Sequence, residues 1–376
     1  MFYVLLFLSI VSIFYYLFAI YSASRFFSLP RQNKTDFHPP ISILKPVCGM
    51  ESMAYENFAS FCQQDYPEYQ IIFGVKDAND PIVPVINKII ADFPQVDIQL
   101  VICNTSLGIN PKISNLIAMQ KAAKYSFLLI SDSDINVGPT YLSETIPFMQ
   151  DEQVGIVTCP YRSSTKTWRS KIGAVIDATE YMPGVFCAKQ LDQVKWTLGC
   201  SVLIRETALN AIGGIQRVAD YVAEDLLLGK QVTHMGYKVI LANYVVDHVV
   251  EHQTLLSIIR GKIRRDRGIL TYNPGSYFSL LFTYGAALSM LLLLINHTSI
   301  LGMIVFGFVW ITKLAKSWII SVKYLNDPSA KKWFWLAPLN DCISFMLWLY
   351  VFSTSTIYWR GCYFKIKKDG RLVVCT

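Results

Sequence analysis

Residues Phe2 to Ala23 are almost wholly apolar and carry no charge. A helix of that length crosses a bilayer core of about 30 Å. The run exceeds the ~7–15 apolar residues of a secretory leader and no basic segment precedes it, so the pattern predicts a retained anchor over 1–25. Arg25, Arg31 and Lys34 follow the run. By the positive-inside rule this leaves the N-terminus outside and the following domain in the cytosol.

From about His38 the texture becomes that of a globular α/β domain, expected to occupy 38–252. ISILKPV (41–47) and YQIIFGV (69–75) have the short, β-branched, uninterrupted apolar character of buried strands, with a helical stretch around Met53 to Gln63 between them. A helix near Val83 to Phe93, a strand at 97–103, a helix from Ser114 to Ala123 and a strand at 127–134 follow. Alternating strands and helices imply a mostly parallel, Rossmann-like sheet with ligands beyond the carboxyl ends of its strands. An interfacial amphipathic segment is expected over 253–275, then membrane helices over 276–358 and a basic tail over 359–376. The apolar stretches there are Tyr277 to Ile295, Ile300 to Ile320 and Trp333 to Ile357. Lys313 and Lys316 interrupt the second, which predicts a helix end or a protein-facing position for them. Three crossings from a cytosolic domain would put the tail cations (Arg360, Lys365, Lys367, Lys368, Arg371) outside, against the charge rule. One segment is therefore expected to be re-entrant or interfacial.

Composition agrees with a membrane protein carrying a soluble insert. The 376 residues are 53% hydrophobic and 16% charged, against about 25% charged in an average soluble domain. The net charge of +7 gathers beside the apolar segments. Anionic headgroups or a phosphorylated donor explain it better than nucleic acid, which is not an expected partner. Nine cysteines without C-x-x-C spacing suit reduced thiols in a cytosol-facing domain and argue against zinc.

Five clusters could carry chemistry. Asp132-Ser133-Asp134 ends the apolar FLLI run. Two carboxylates one residue apart hold a hard cation through oxygen and leave positions for phosphate, although a solvated turn has the same sequence. Asp77 and Asp80 follow the 69–75 strand and could bond a nucleotide's base or ribose, while Asp80 before Pro81 also suits a helix cap. Glu224-Asp225 follow Gly213-Gly214 and open a helix. They complement its dipole, or Asp225 serves as a general base on an acceptor hydroxyl. GINPKISNL (108–116) places Lys112 and Asn115 at a helix start, where a diphosphate could be met by charge and backbone N–H groups. Arg260, Lys262, Arg264, Arg265 and Arg267 form either a headgroup-binding stripe or, through Arg264, a cation for a departing diphosphate.

Taken in order, ISILKPVCG, QQDYPEYQIIFGVKDANDP, GINPKISNL, the DSD strand, LGCSVLIRE, YVAEDLLLGK and the WRG tail resemble the ceramide glucosyltransferase family and its bacterial lipid-glycosylating relatives. The resemblance implies an α/β catalytic domain of GT-A fold with one N-terminal and two to three C-terminal transmembrane helices. It implies a UDP-glucose donor, Mg²⁺ or Mn²⁺, and inverting transfer to a lipid hydroxyl (ceramide or similar). It places the protein in a bacterial inner membrane, or the Golgi or endoplasmic reticulum. By the same resemblance Asp80, Asp132 and Asp225 match the family's acids, with Asp225 as base. Asp77 and Lys112 match nucleotide positions, and Asp134 matches the metal-binding acid of the wider superfamily. One departure concerns a Q/R-x-x-R-W signature. Gly261-Lys262-Ile263-Arg264-Arg265 stands there, keeping the arginine as Arg264 and losing the tryptophan. Transfer of N-acetylglucosamine to a hopanoid or glycerolipid, and a non-catalytic membrane scaffold, are the competing readings.

Overall fold

A computed structural model describes residues 1–30, 36–104, 107–165, 167–250, 254–359 and 361–375. Arg31, Lys34 and Arg360 of the charge argument lie outside the described residues. The chain divides into two units. A sheet unit comprises Pro30–Tyr161 and Val194–Val249, and a helical unit comprises Met1–Leu29, Arg162–Gln193 and Val250–Thr376. The stretch 38–252 is thus interrupted, because 162–193 clusters with the long apolar helices.

In chain order the strands of the sheet unit are β1 (Ile41–Pro46), β2 (Tyr69–Val75), β3 (Asp97–Ile102), β4 (Phe127–Ile130), β5 (Ile135–Asn136) and β6 (Val154–Thr158). After β7 (Tyr161–Ser164), where the units divide, come β8 (Val202–Arg205), β9 (Lys238–Leu241) and β10 (Val246–Val249). Seven of them make one sheet in the order β3-β2-β1-β4-β8-β6-β9. Four of its six pairings are parallel (β1–β2, β1–β4, β2–β3, β6–β9), as the alternating pattern predicts. Every residue of β1 is buried, which is why its sequence shows no in–out alternation.

The pairing fixes where the acids go. β2 and β4 run parallel to β1 on its two sides, with Pro46 opposite Gly74 and Leu44 opposite Ile130. Asp77/Asp80 and Asp132/Asp134 therefore leave the same edge of the sheet. β8 runs antiparallel to β4, pairing Val202 with Ile130, so Gly199–Ser201 enters the sheet at that edge as well.

In the helical unit, Phe2–Phe27, Ile300–Tyr324 and Ala330–Ser353 are long and apolar enough to cross a membrane. The first packs through a stripe of small residues, Ser9, Ser12, Ala19, Ser22 and Ala23, around Tyr16, which lets helices approach closely. The first C-terminal apolar stretch, Tyr277 to Ile295, is not one straight helix. Pro274–Thr283 and Gly285–Ile295 meet at 59°. Tyr16 fixes the break: its hydroxyl donates to the Thr283 carbonyl and accepts from the Gly285 N–H, both at 3.0 Å. Asp341 caps the second half, one oxygen accepting from the N–H groups of Ala286 (2.9 Å) and Ala287 (3.3 Å) and the other pairing with Lys313. Lys316 donates to the Thr179 carbonyl at 2.7 Å. Both lysines are about 1% exposed, protein-facing as expected.

The tail is folded rather than merely basic. Strands β11 (Thr356–Trp359), β12 (Cys362–Ile366) and β13 (Leu372–Val374) form an antiparallel sheet. Its turns use Gly361 and Gly370, both at positive φ, a conformation that costs glycine nothing. The sheet packs on the Leu255–Tyr272 helix, whose Tyr272 hydroxyl donates to the Gly370 carbonyl at 3.1 Å.

Candidate active site

The GINPK loop and the loop before Glu224 are stitched together, which is what assembles the site. Asn110 caps the Pro111–Gln120 helix, accepting from the Lys112 N–H at 3.1 Å. Its amide donates to the Tyr221 carbonyl (3.1 Å), its N–H to Ala219 (2.8 Å), and the Ile109 N–H donates to Asp220 (3.1 Å). Gly108 sits at φ +90°, and a Cβ there would stand 2.6 Å from that of Ala219, so only glycine allows this approach.

Lys112 is carried by that helix to a point between two acids. Its Nζ lies 2.7 Å from Asp132 and 3.2 Å from Glu224. Burial alone would lower its pKa; the two carboxylates outweigh burial and hold it well above the usual lysine value. Asp225, next in the chain, accepts from the Gly199 N–H (3.1 Å) and from its neighbour's N–H at Leu226 (2.8 Å). Burial and then the adjacent Glu224 push its carboxyl up to about 6, against the lowering pull of Lys112. Lys112, Ile113, Leu116, Gly199, Glu224 and Asp225 line part of a pocket of about 20 Å³, roughly the space of one water molecule or hydroxyl group.

On the DSD turn the two acids differ. Burial raises Asp132, with Lys112 opposing and Asp134 reinforcing. Asp134 is half-buried, which by itself would raise it, yet His248, 3.1 Å away, holds it below the ordinary carboxyl value. The antiparallel pairing of β10 with β5 brings that imidazole in. Two further groups join from β1 and the loop after it. Lys45, fully buried, donates to the Ser131 hydroxyl (3.3 Å) and the Asp132 carbonyl (3.0 Å) and lies over the Phe61 ring. Burial lowers it to about 7. Glu51 accepts from the Ser133 hydroxyl at 2.8 Å, and burial with the Asp134 charge pushes it up to about 7. Asp134 Oδ1 and Glu51 Oε2 are buried with no hydrogen-bond partner among the described residues. Among the described residues no three His, Cys, Asp or Glu side chains stand in metal-holding geometry. The oxygen-rich donors around Asp132 and Asp134, with one buried carboxylate oxygen unmatched, still suit a hard divalent cation.

The other predicted residues are placed as follows. Asp80 uses its carboxylate to hold the loop after β1, accepting from the Gly49 N–H (3.0 and 3.1 Å) and the Ile82 N–H (3.0 Å). Asp77 is exposed and accepts from the Asn79 N–H at 2.9 Å. Asn115 turns inward and donates to the Gly74 carbonyl at 3.3 Å, tying its helix to β2. Arg264 belongs to the helical unit, its guanidinium 5.6 Å from the centre of the Trp359 ring. Lys45, Glu51 and His248 escape the sequence reading. A lone charge in an apolar strand is a visible signal for Lys45; nothing local marks Glu51 or His248, which act through long-range pairing.

Known proteins bear on this arrangement. Ceramide glucosyltransferase 3 of Caenorhabditis elegans is 29% identical over 208 residues, 55% of this chain and 45% of the relative. Ceramide glucosyltransferase of Gibberella zeae is 31% identical over 134 residues, 33% of this chain and 25% of the relative. The chain thus spans less than half the length of these curated relatives. In structure, the mannosyltransferase PcManGT of Pyrobaculum calidifontis, solved with GDP-Man and Mn²⁺, superposes with a TM-score of 0.54 over 93% of this chain and 99% of that one. At 14% identity that likeness shows the fold, which is the expected GT-A glycosyltransferase fold. The profile described as Glycosyl transferase family 21 matches residues 4–372, and the chain belongs to that family.

Proposed function

We propose that this chain transfers glucose from UDP-glucose to the hydroxyl of a membrane lipid, a ceramide or similar, by a single inverting displacement. The observation that carries the reading is Asp225, a carboxylate poised at about 6 in the wall of a pocket of hydroxyl size. A base poised near the working pH is ionised and still basic enough to take a proton. Asp225 takes the acceptor's proton as the hydroxyl oxygen bonds to the anomeric carbon. The bond from that carbon to the UDP β-phosphate oxygen breaks, and UDP leaves with the electron pair. Asp77 and Asp80 fix the nucleoside side of the donor, Asp77 by contact and Asp80 by shaping the loop it holds. Asp132 and Asp134 would hold Mg²⁺ or Mn²⁺, which supplies positive charge for the diphosphate when bound. Lys112 keeps Asp132 and Glu224 compensated, and Arg264 neutralises the diphosphate as it departs. The ceramide glucosyltransferase relatives support the lipid acceptor and glucose. The neighbour with GDP-Man and Mn²⁺ supports a nucleotide sugar and a divalent cation.

The same proposal carries a topology. The tail sheet packs on the Leu255–Tyr272 helix, so an even number of crossings separates them. Two crossings, Ile300–Tyr324 and Ala330–Ser353, with the bent Pro274–Ile295 segment re-entrant, meet that condition. Both the tail cations and the catalytic domain then face the cytosol. The test is transfer from radiolabelled UDP-glucose into lipid extract by the purified protein in detergent, with and without Mn²⁺. Label in lipid that disappears with chelator supports the reading; no lipid label from UDP-glucose rules out this donor.

A further inference from the structure

An ammonium already sits on one of the acids that the proposed divalent cation would need. Lys112 Nζ lies 2.7 Å from Asp132 Oδ1, closer than its 3.2 Å to Glu224 Oε1. Lys45, also beside the DSD turn, does not compete for that carboxylate: it donates to the Asp132 carbonyl and the Ser131 hydroxyl. Asp134 is paired with His248 through one oxygen and keeps the other without a hydrogen-bond partner among the described residues. Of the two acids on the turn, one thus offers an unmatched oxygen to a hard cation, and the other has the same demand met by a lysine. Two positive charges beside one carboxylate repel each other, so a divalent cation and Lys112 cannot both hold Asp132 at full strength.

The two partners of Lys112 are held differently. Ile109 and Asn110 bond Ala219, Asp220 and Tyr221, which ties the helix start that carries Lys112 to the segment leading into Glu224. Asp132 stands on a separate element, the turn after β4. It is also the most open of the three side chains, 37% exposed against 14% for Lys112 and 15% for Glu224. A ligand arriving from solvent meets Asp132 first. An ammonium displaced from Asp132 stays within reach of Glu224, which opens the Glu224–His234 helix, where negative charge is favoured.

We propose that Lys112 is a place-holding cation, which gives up Asp132 when a divalent cation binds there and shifts its ammonium wholly onto Glu224. Glu224 is then a positioning residue that receives Lys112, as well as an acid at a helix start. Asp225 follows Glu224 and lines the same pocket as Lys112, so the shift keeps positive charge beside the base while Asp132 is claimed. This rests on the reading above, in which Asp132 and Asp134 hold Mg²⁺ or Mn²⁺.

Binding of Mn²⁺ alone, without nucleotide, tests it, read from the electron paramagnetic resonance signal of free Mn²⁺ over the full-length protein in detergent. The variants are K112M, E224Q and K112M/E224Q. K112M is expected to bind Mn²⁺ roughly tenfold more tightly than the native protein, the low end of what an adjacent cation does to a carboxylate's hold on a proton. E224Q leaves the ammonium with Asp132 as its remaining partner and should weaken Mn²⁺ binding, again roughly tenfold. In the K112M background E224Q should change little, because Glu224 acts through Lys112. A Glu224 that acted only through its own charge would weaken Mn²⁺ binding by the same factor in both backgrounds, and that additivity would overturn the proposal. So would an affinity unchanged or weakened in K112M. If K112M does not fold, K112Q, which removes the charge and can still bond a carboxylate through its amide, gives the same decision. Mn²⁺ binding by neither the native protein nor K112M, or binding that survives D134A, would instead remove the cation from the DSD turn, and the place-holding role with it.

Discussion

At the carboxyl edge of the sheet, Asp134 and Glu51 each bury an oxygen that no donor meets, whereas in the helical unit Asp341 uses both of its oxygens. The helical unit buries its charge fully, the sheet edge only in part, and the two satisfy it differently. Asp341 is matched by Lys313 and by two backbone N–H groups that a helix start would otherwise leave unpaired. Those partners offset the cost of removing water from the charges, and the set fixes where an apolar segment bends. At the sheet edge burial, and after it the crowding of the acids, lifts Glu51 and Asp225 towards neutrality, and the acids lean on Lys112, Lys45 and His248 for partial compensation. Buried charge that is fully matched fixes structure. Buried charge left short of partners stores a demand that a ligand can meet.

The largest effect expected from this contrast is on Asp225. D225N should cut turnover by roughly 10²–10⁴-fold, the share of a positioned general base, with UDP-glucose binding retained. Substantial turnover in D225N, measured by product formation at saturating donor, would remove Asp225 from the chemistry. Next is the cation: chelation, or D134A, should lower transfer roughly 100-fold, and Mn²⁺ should restore the chelated protein but not D134A. Activity indifferent to both would leave the DSD turn a structural feature like Asp341.

The helical unit should behave in the opposite sense. K313M strands Asp341 and should cost about 3–5 kcal/mol of stability, read by thermal unfolding in detergent, with kcat of the folded fraction unchanged. K313M/D341L should recover most of that loss. If D134A destabilised the protein as much as K313M, the distinction between matched and unmatched charge would fail. The smallest effect is on pH dependence. Asp225 must be ionised to accept a proton and its carboxyl sits at about 6. Therefore kcat/KM should level off above that value and fall about tenfold per unit below it. A profile flat to pH 5 would contradict the assignment.

Much of this was legible along the chain. The buried strands announced themselves by unbroken apolar runs, and the acids by lying where those runs stop. Helices long and apolar enough to cross a membrane were visible by length, and the conflict between crossings and charge gave no position for the bend at Thr283–Gly285. The tail was read as a basic extension, because a three-stranded sheet of three- to five-residue strands leaves little periodicity to detect. Residues 162–193 gave no local sign that they leave the sheet unit.

Sequence by itself determined what depends on near neighbours: apolar runs, turn glycines, and carboxylates at strand ends. Tertiary structure decided what depends on pairing across the chain. The antiparallel β5–β10 ladder puts His248 beside Asp134, and the Ala219–Tyr221 loop seats Lys112 between acids. The tail sheet returns an indole to Arg264. A strand's pattern states that it will be buried but not which strand lies beside it, and these contacts follow from that choice of partner.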